Sequence, residues 1–369
     1  MISNQTIQTS IDELKAITKT DLGIFDLDGR MIATTFEEGG IDESILMAFA
    51  NSPADSQVIS GLHLLKIQDE KEVMYILVAR GPGNDTYMIA KIAVSQIQHL
   101  IQAYKEKFDR NNFIQNLILD NMLLVDIYNR AKKLHIDVEV PRVVFMIETK
   151  QDKDNDIMEM LKSLFSSHSG DYLTAVDERN IILVKSLKEI KIKTKSDYYP
   201  AMEEIAKTIV DMMNTEAMMS VKVSYGTVVQ ELKDVSRSYK EAKMALDVGK
   251  IFYAEKVITA YNTLGIGRLI YQLPVNLCKI FMEEIFGENV PEELDDETLT
   301  TILKFFENNL NVSETSRQLF IHRNTLVYRI EKLQKATGLD IRTFDDALTF
   351  KIALMVVNYM KYLEKGDFF

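Results

Sequence analysis

The chain reads as a multidomain protein, α/β over its first two thirds and all-α at its C-terminal end. Three observations predict this. At 369 residues it exceeds the size at which one hydrophobic core stops growing. Short apolar runs bounded by turn residues alternate with helical stripes twice, over 1–105 and again over 136–255. Residues 291–369 carry helical periodicity, including two short helices joined by a tight turn.

Residues 1–105 form the first predicted unit. Ile7, Ile11, Leu14 and Ile17 or Thr18 make a helical stripe. DLGIFDLDGRMIATT follows as a hairpin, with Asp28-Gly29 between apolar runs, a strong short-range hairpin signal. A helix around Asp42–Ala50 leads into GLHLLKIQDEKEVMYILVARG, two strands around a polar Gln68–Glu72 turn. The loop Gly81-Pro82-Gly83-Asn84 precedes a long helix. The order α-β-β-α-β-β-α fits a PAS-like or roadblock-like sensor, in which one antiparallel sheet holds a pocket against helices. Anion-binding candidates are Arg30, Arg80 and the Gly81, Gly83 and Asn84 backbone, because N–H groups at a helix start favour carboxylate or phosphate. The alternative is that Arg30 is a hairpin-exposed cation and Arg80 a solvated one at a strand end.

From about Tyr87 to Leu134 the pattern is nearly continuous helix, and 106–135 is assigned as a linking or dimerisation helix. Ile97, Ile101, Tyr104, Phe108, Phe113, Leu117, Leu124 and Ile127 make its stripe, with no proline or glycine. Such a face must be buried, on the chain's own domains or on a second copy.

In 136–255, Pro141 marks the start of a second α/β unit. VVFMIET is a strand, IMEMLKSLF a helix, and YLTAVDERNIILVKS a hairpin turning at Asp177–Asn180. AMEEIAKTIVDMM, VKVSYGTVV and SRSYKEAKMALDVG follow as helix, strand and helix. Residues 256–290 are linker helices, and TLGIGRLI is a loop before a short helix. The acidic EELDDE, Glu292 to Glu297, leads into a helix over Leu299–Asn309, whose N-terminus the acids favour.

The richest stretch is NVSETSRQLFIHRNTLVYRIEKLQKATG, Asn311 to Gly338. Asn311 and Ser313 are N-cap types, and Ser313 to Leu319 suits a short helix. Phe320 and Ile321 bridge to a second helix, where Leu326, Ile330 and Leu333 share a core face and Gly338 is a C-cap type. The remaining faces carry Arg323, Asn324, Thr325, Tyr328, Arg329 and Lys332, after His322. Such groups on a rigid helix read base edges and clamp phosphates in a major groove. From Thr315 to Ala336 five Lys/Arg face one acid, a local charge of about +4 in a chain of −12. A basic island in an acidic protein is a footprint for a polyanion. A merely solvated charged face is the alternative.

SETSRQLFIHRNTLVYRIEKLQKATGLDI, with the helical run to about Met360, resembles the C-terminal helix-turn-helix of the bacterial CdaR/PucR-type transcriptional regulators. His322-Arg323-Asn324-Thr325-Leu326, Tyr328-Arg329 and Thr337-Gly338-Leu339-Asp340 carry the likeness. It implies a major-groove helix opened by Arg323, Asn324 and Thr325, with Tyr328, Arg329 and Lys332 one or two turns later. Ser316 stands where a small alanine is usual. The opening helix, DLDGRMIATT and ARGPGNDTYMIAKIAVSQIQHLI resemble the sugar-diacid-recognition domain of the same regulators. Where those carry a short His-containing motif, TTFEEGGIDES keeps Phe36, Glu37 and Gly39 and has no histidine. VSYGTVVQELKDVSRSYKEAKMAL resembles their degenerate GGDEF-like middle domain. The hairpin of active cyclases needs a Gly-Gly turn, and Val176-Asp177-Glu178-Arg179-Asn180 has no glycine.

Composition agrees with this class. The 46% hydrophobic and 27% charged content is ordinary for a soluble globular protein. One cysteine, Cys278, cannot form an internal disulfide. MISNQTIQTSIDELK lacks a signal peptide's basic start and apolar core, and no run approaches a membrane span. A cytoplasmic protein without a membrane partner is expected. The five histidines are scattered, no nucleophile motif or phosphate loop occurs, and no catalytic residue, metal or cofactor is expected.

The expectation is therefore a ligand-responsive regulator that binds a double-stranded DNA operator as a homodimer or higher homo-oligomer. Its effector would be a small molecule, by the resemblance a carboxylate such as a sugar diacid. Two other classes stand beside it: a ligand-gated scaffold whose helical C-terminus docks a protein, and a nucleotide cyclase using the middle domain.

Overall fold

The computed structural model describes residues 2–36, 41–69, 72–81, 83, 85–149, 155–165, 170–190, 198–287 and 296–364. The chain divides into two compact units, Met1–Ile114 and Gln115–Phe369.

The first unit is a five-stranded antiparallel sheet in the order β2-β1-β5-β4-β3. Its elements are α1 (Asn4–Thr18), β1 (Asp21–Phe25), β2 (Met31–Thr34), α2 (Glu43–Ala50), β3 (Ser56–Ile59), β4 (Leu62–Asp69), β5 (Glu72–Arg80) and the start of α3 (Thr86–Ile118). Alternation splits the strands between two cores. Leu22, Ile24, Leu65, Ile67, Leu77 and Ala79 bury one face against Ile7, Ile11 and Leu14 of α1 and Ala90, Ala93 and Ile97 of α3. Phe25, Leu64, Ile76 and Val78 bury the other against Leu46 and Phe49 of α2. The predicted hairpin and single sheet are present. The strand β3 is an addition to the predicted elements, since only four residues pair and Gln57 and Val58 are exposed. Its signal is Ser60-Gly61, both at positive φ (50° and 81°), the two-residue turn that matches strand twist. The edge of β2 is closed by α1: the Gln8 side-chain amide donates to the Thr34 carbonyl and accepts from the Thr34 N–H, both at 2.9 Å.

The long helix is shorter than its sequence pattern. α3 stops at Ile118, and α4 (Leu124–Lys133) starts afresh. The break is the turn at Asp120, φ 61°, a left-handed position that Asp and Asn tolerate. The Asn121 N–H closes it on the Asn116 carbonyl at 3.0 Å. Asp120 also accepts from Lys240 at 2.6 Å, a tertiary contact at the break. Residues 106–135 are thus two helices. Along the stripe Ile97, Phe113 and Leu117 are buried, while Tyr104 and Phe108 are exposed (38% and 61%).

The second unit opens with a mixed sheet in the order β10-β9-β6-β8-β7, antiparallel except for β10 alongside β9. It comprises β6 (Arg142–Thr149), α5 (Asn155–Leu164), β7 (Tyr172–Ala175), β8 (Asn180–Ser186), α6 (Tyr198–Thr215), β9 (Val221–Tyr225), α7 (Val235–Phe252) and β10 (Ile258–Ala260). Val143, Phe145 and Ile147 of β6 pack with Leu161 of α5 and Met202, Ala206, Ile209 and Met213 of α6. α7 runs over β6 and β9, so closely that a Cβ at Gly226 would lie 2.1 Å from the Ser238 carbonyl oxygen. The Ser238 hydroxyl donates to the Thr227 carbonyl and accepts from the Val144 N–H.

The rest is helical: α8 (Ile266–Tyr271), α9 (Val275–Phe286), α10 (Asp296–Glu307), α11 (Val312–Gln318), α12 (Arg323–Thr337) and α13 (Phe344–Glu364). α13 serves two cores. Phe350, Ala353 and Val357 pack with Ile302 and Phe305 of α10 and Leu326, Ile330 and Leu333 of α12. Val356, Tyr359 and Met360 pack with Ile270 of α8 and Cys278 of α9. Burial also pushes the Cys278 thiol up from its usual range. Among the described residues no helix is long and apolar enough to cross a membrane.

Candidate nucleic-acid interface

α11 and α12 are each set by a side-chain cap. The Asn311 amide oxygen accepts from the Ser313 and Glu314 N–H groups, both at 3.1 Å. His322 Nδ1 accepts from the Asn324 N–H at 3.2 Å, satisfying an otherwise orphaned donor. Gly338 closes α12 at φ 76° with its N–H on the Gln334 carbonyl. Between the helices the Ile321 N–H donates to the Ser316 carbonyl at 3.1 Å. Ser316 itself is buried, its hydroxyl donating to the Ser313 carbonyl. A serine is therefore accommodated at this helix crossing without an orphaned hydroxyl.

Leu326, Ile330 and Leu333 are 0–1% exposed, so the inward face of α12 is fixed. The outward face presents Arg323, Asn324, Thr325, Tyr328 and Lys332, all exposed, with His322 at the helix start. Lys335 continues the same exposed surface. Arg329 is the departure. Its side chain is only 20% exposed and pairs with Glu297 at 2.6 Å, while Nη1 donates to the Thr301 hydroxyl at 2.8 Å. It braces α12 against α10. Arg317 is likewise engaged, donating to both Glu314 oxygens at 3.1 and 2.7 Å and holding that carboxyl below the usual range. The basic island is thus smaller than the sequence count, because Arg317 and Arg329 pair with acids outside the counted window, Glu314 and Glu297.

One exposed group escapes the sequence reading. Phe320, in the turn before α12, is 95% exposed at φ 54°. An apolar bridging residue is expected to face inward; its left-handed backbone turns it out.

In the first unit the effector candidates do not converge. Asp21 of β1 pairs with Arg80, and Phe25, four residues on, pairs with Ile76. Arg30 follows Phe25 around the turn, donating its N–H to Asp26. At about 3.3 Å per residue the two arginines lie roughly a strand length apart. The two candidate arginines are thus not brought together. Arg80 stacks over the Phe36 ring at 4.9 Å and lies 3.6 Å from Asp21. Gly81 is dictated by crowding: a Cβ would meet the Thr86 hydroxyl at 2.6 Å. The Gly83 carbonyl accepts from the Thr86 hydroxyl at 2.8 Å. Asn84, Pro82, Glu37 and Gly39 lie outside the described residues.

In the middle domain, Asp177 shapes its hairpin by accepting from the Arg179 and Asn180 N–H groups at 2.9 and 2.8 Å.

A short capped helix, a tight turn and a second capped helix with an exposed polar face define a helix-turn-helix transcriptional regulator whose partner is DNA. Residues 298–356 match the PucR C-terminal helix-turn-helix domain, and residues 121–248 match the GGDEF-like domain. The chain is 24% identical to the carbohydrate diacid regulator of Escherichia coli, over 96% of this chain and 98% of that protein. It is 25% identical to the purine catabolism regulatory protein of Bacillus subtilis, over 66% of this chain and 48% of that longer relative. A regulator of polyketide synthase expression from Bifidobacterium adolescentis aligns in structure with a TM-score of 0.34 at 13% identity, over 69% of this chain and 93% of that one. The chain belongs to the CdaR/PucR-type transcriptional regulators, and the docking-scaffold reading is not favoured.

Proposed function

We propose that this regulator reads a duplex operator with the exposed face of α12 and that a small-molecule effector governs its affinity. The observation that carries the reading is the division of α12 into a fully buried apolar face and an outward face of Arg323, Asn324, Thr325, Tyr328 and Lys332. Arg323, Asn324 and Thr325 at the helix start suit base edges, and Lys332 and Lys335 suit phosphates. His322 keeps Nε2 for a phosphate while Nδ1 caps the helix. Phe320 beside them offers an apolar contact to a thymine methyl or a sugar. Arg329 acts by holding α12 on α10, through Glu297 and Thr301.

The carbohydrate diacid regulator's name suggests a sugar diacid or related carboxylate as effector, acting in the first unit on genes for carbohydrate or organic-acid use. The domain assignment is a sensor over 1–105, linking helices over 106–135, a GGDEF-like domain over 136–255, linker helices over 256–290 and the DNA-binding domain over 291–369. The exposed Tyr104 and Phe108 on α3 support a homodimer, in which an effector shifts the spacing of two recognition helices, and the DNA-binding domain suits the cytoplasm. Those helices must lie about 34 Å apart to meet successive major grooves. The GGDEF-like domain is read as structural, with no glycine in its Val176–Asn180 hairpin. Incubation with GTP and magnesium is expected to give no cyclic product.

Fluorescence anisotropy on fragments upstream of the protein's own gene, at two salt concentrations, tests the central reading. Saturable, salt-sensitive binding that outcompetes random DNA is expected. Salt-insensitive association, or none with and without candidate carboxylates, would return the weight to protein docking.

A further inference from the structure

A cavity of about 950 Å³ in the second unit has no residue of the DNA-reading helix in its walls. Its walls come from both parts of that unit. The GGDEF-like domain supplies the ends of β6 and β9, the Asp177–Asn180 hairpin and one side of α7; the helical part supplies Tyr271 of α8 and Asn358, Lys361 and Tyr362 of α13.

Three features give it a chemistry. The first is charge. Arg179, Lys222, Lys243, Lys250 and Lys361 line it against Glu148, Asp177 and Asp247, a positive balance in a chain of net −12. The carboxylates are also occupied. Glu148 is paired with Lys250, Asp177 accepts from its own turn, and Asp247 accepts from the Tyr271 hydroxyl at 2.7 Å. Burial raises the Asp247 carboxyl above its usual range. The second is an unmet acceptor: Asn180 Oδ1 is buried without a hydrogen-bond partner. Buried acceptors are rarely left so without a ligand or water to complete them. The third is lining by the rings of Tyr239, Tyr271 and Tyr362, which suits a compact organic molecule.

We propose that this cleft is a second effector site, taking a small organic anion, carboxylate or phosphate, that also carries a hydroxyl or amino donor. The lysines hold the anion and Asn180 Oδ1 receives the donor. The site is completed by α13, whose Phe350 and Ala353 pack in the same core as Leu326 and Ile330 of α12. A ligand bridging Lys243 of α7 and Lys361 of α13 therefore bears directly on the rod that carries the recognition helix. It differs from a cyclase site in needing α8 and α13.

Isothermal calorimetry on the full chain, without DNA, tests the site independently of operator reading. Citrate and glycerol 2-phosphate serve as hydroxylated carboxylate and phosphate probes. At least one is expected to bind saturably, and Lys243→Ala/Lys361→Ala is expected to lose one site per chain or weaken it at least ~10-fold, about 1.4 kcal/mol. Lys207→Ala, a charge control on α6, should bind as wild type. Circular dichroism melts of each variant separate a lost site from a lost fold. No saturable binding of either probe, or unchanged binding by a folded double variant, overturns the proposal. Anisotropy with an operator fragment then reads the coupling: a several-fold change in affinity on saturation, absent in the double variant, is expected. No change would overturn the regulatory role.

Discussion

The Arg329 guanidinium leaves α12 and closes on the Glu297 carboxylate of α10 at 2.6 Å, with the Thr301 hydroxyl at 2.8 Å on its other arm. Arg323, six residues earlier on the same helix, is exposed. Two arginines of one motif thus sit in different surroundings. Arg323→Ala should weaken operator binding by about 1–3 kcal/mol, if it reads a base bidentately, with the melting temperature unchanged. Arg329→Ala should lower the melting temperature and the affinity together. Paired melts and anisotropy titrations distinguish them; wild-type operator affinity in Arg323→Ala would remove it from the interface.

Phe320 holds a left-handed backbone that costs a non-glycine residue about 1–2 kcal/mol, and its ring is almost wholly exposed. Phe320→Gly should therefore stabilise or leave unchanged the free protein while weakening DNA binding. A glycine variant that binds as tightly as wild type would show the ring to be idle.

Gly226 lies under α7, where a Cβ would stand 2.1 Å from backbone oxygen. Gly226→Ala should destabilise the GGDEF-like domain by about 1–3 kcal/mol through forced displacement of α7. Denaturant unfolding measures this, and an unchanged midpoint would mean the two segments separate freely.

Asp247 has a carboxyl raised by burial, against the opposing hydrogen bond from Tyr271. A carboxyl whose folded pKa lies above its unfolded value binds protons more tightly when folded. Its ionisation penalty is full above the folded pKa and is relieved as pH falls through that value toward about 4. Asp247→Asn should accordingly raise the melting temperature at pH 7 and flatten the gain in stability as pH falls from neutral toward about 4. A variant less stable than wild type at pH 7 would show that the charge is needed.

Lys335 is exposed on the last turn of α12. If it meets a phosphate, Lys335→Ala should reduce the log–log salt slope of operator binding by about 1, the counterion release of a single phosphate. An unchanged slope would place it off the DNA backbone.

Local signals wrote much of this molecule. The hairpin at Asp28-Gly29, the caps at Asn311 and Gly338 and the buried triplet Leu326, Ile330 and Leu333 were all legible, because each depends on neighbours a few residues away. The break at Asp120 and the strand Ser56–Ile59 were not. The first lies inside an unbroken apolar stripe, and the second, despite its Ser60-Gly61 turn, is a strand only through pairing with β4.

For the site, sequence alone determined which side chains α12 carries and which stripe it buries, since helical periodicity is a local property. Only the tertiary structure decided which cations are matched by acids and which face outward. Arg317 and Arg329 are matched by carboxylates on the same helix and on α10, and Arg30 and Arg80 are held apart by the length of β1. Charge pairing and distance act through space, and a linear pattern carries neither.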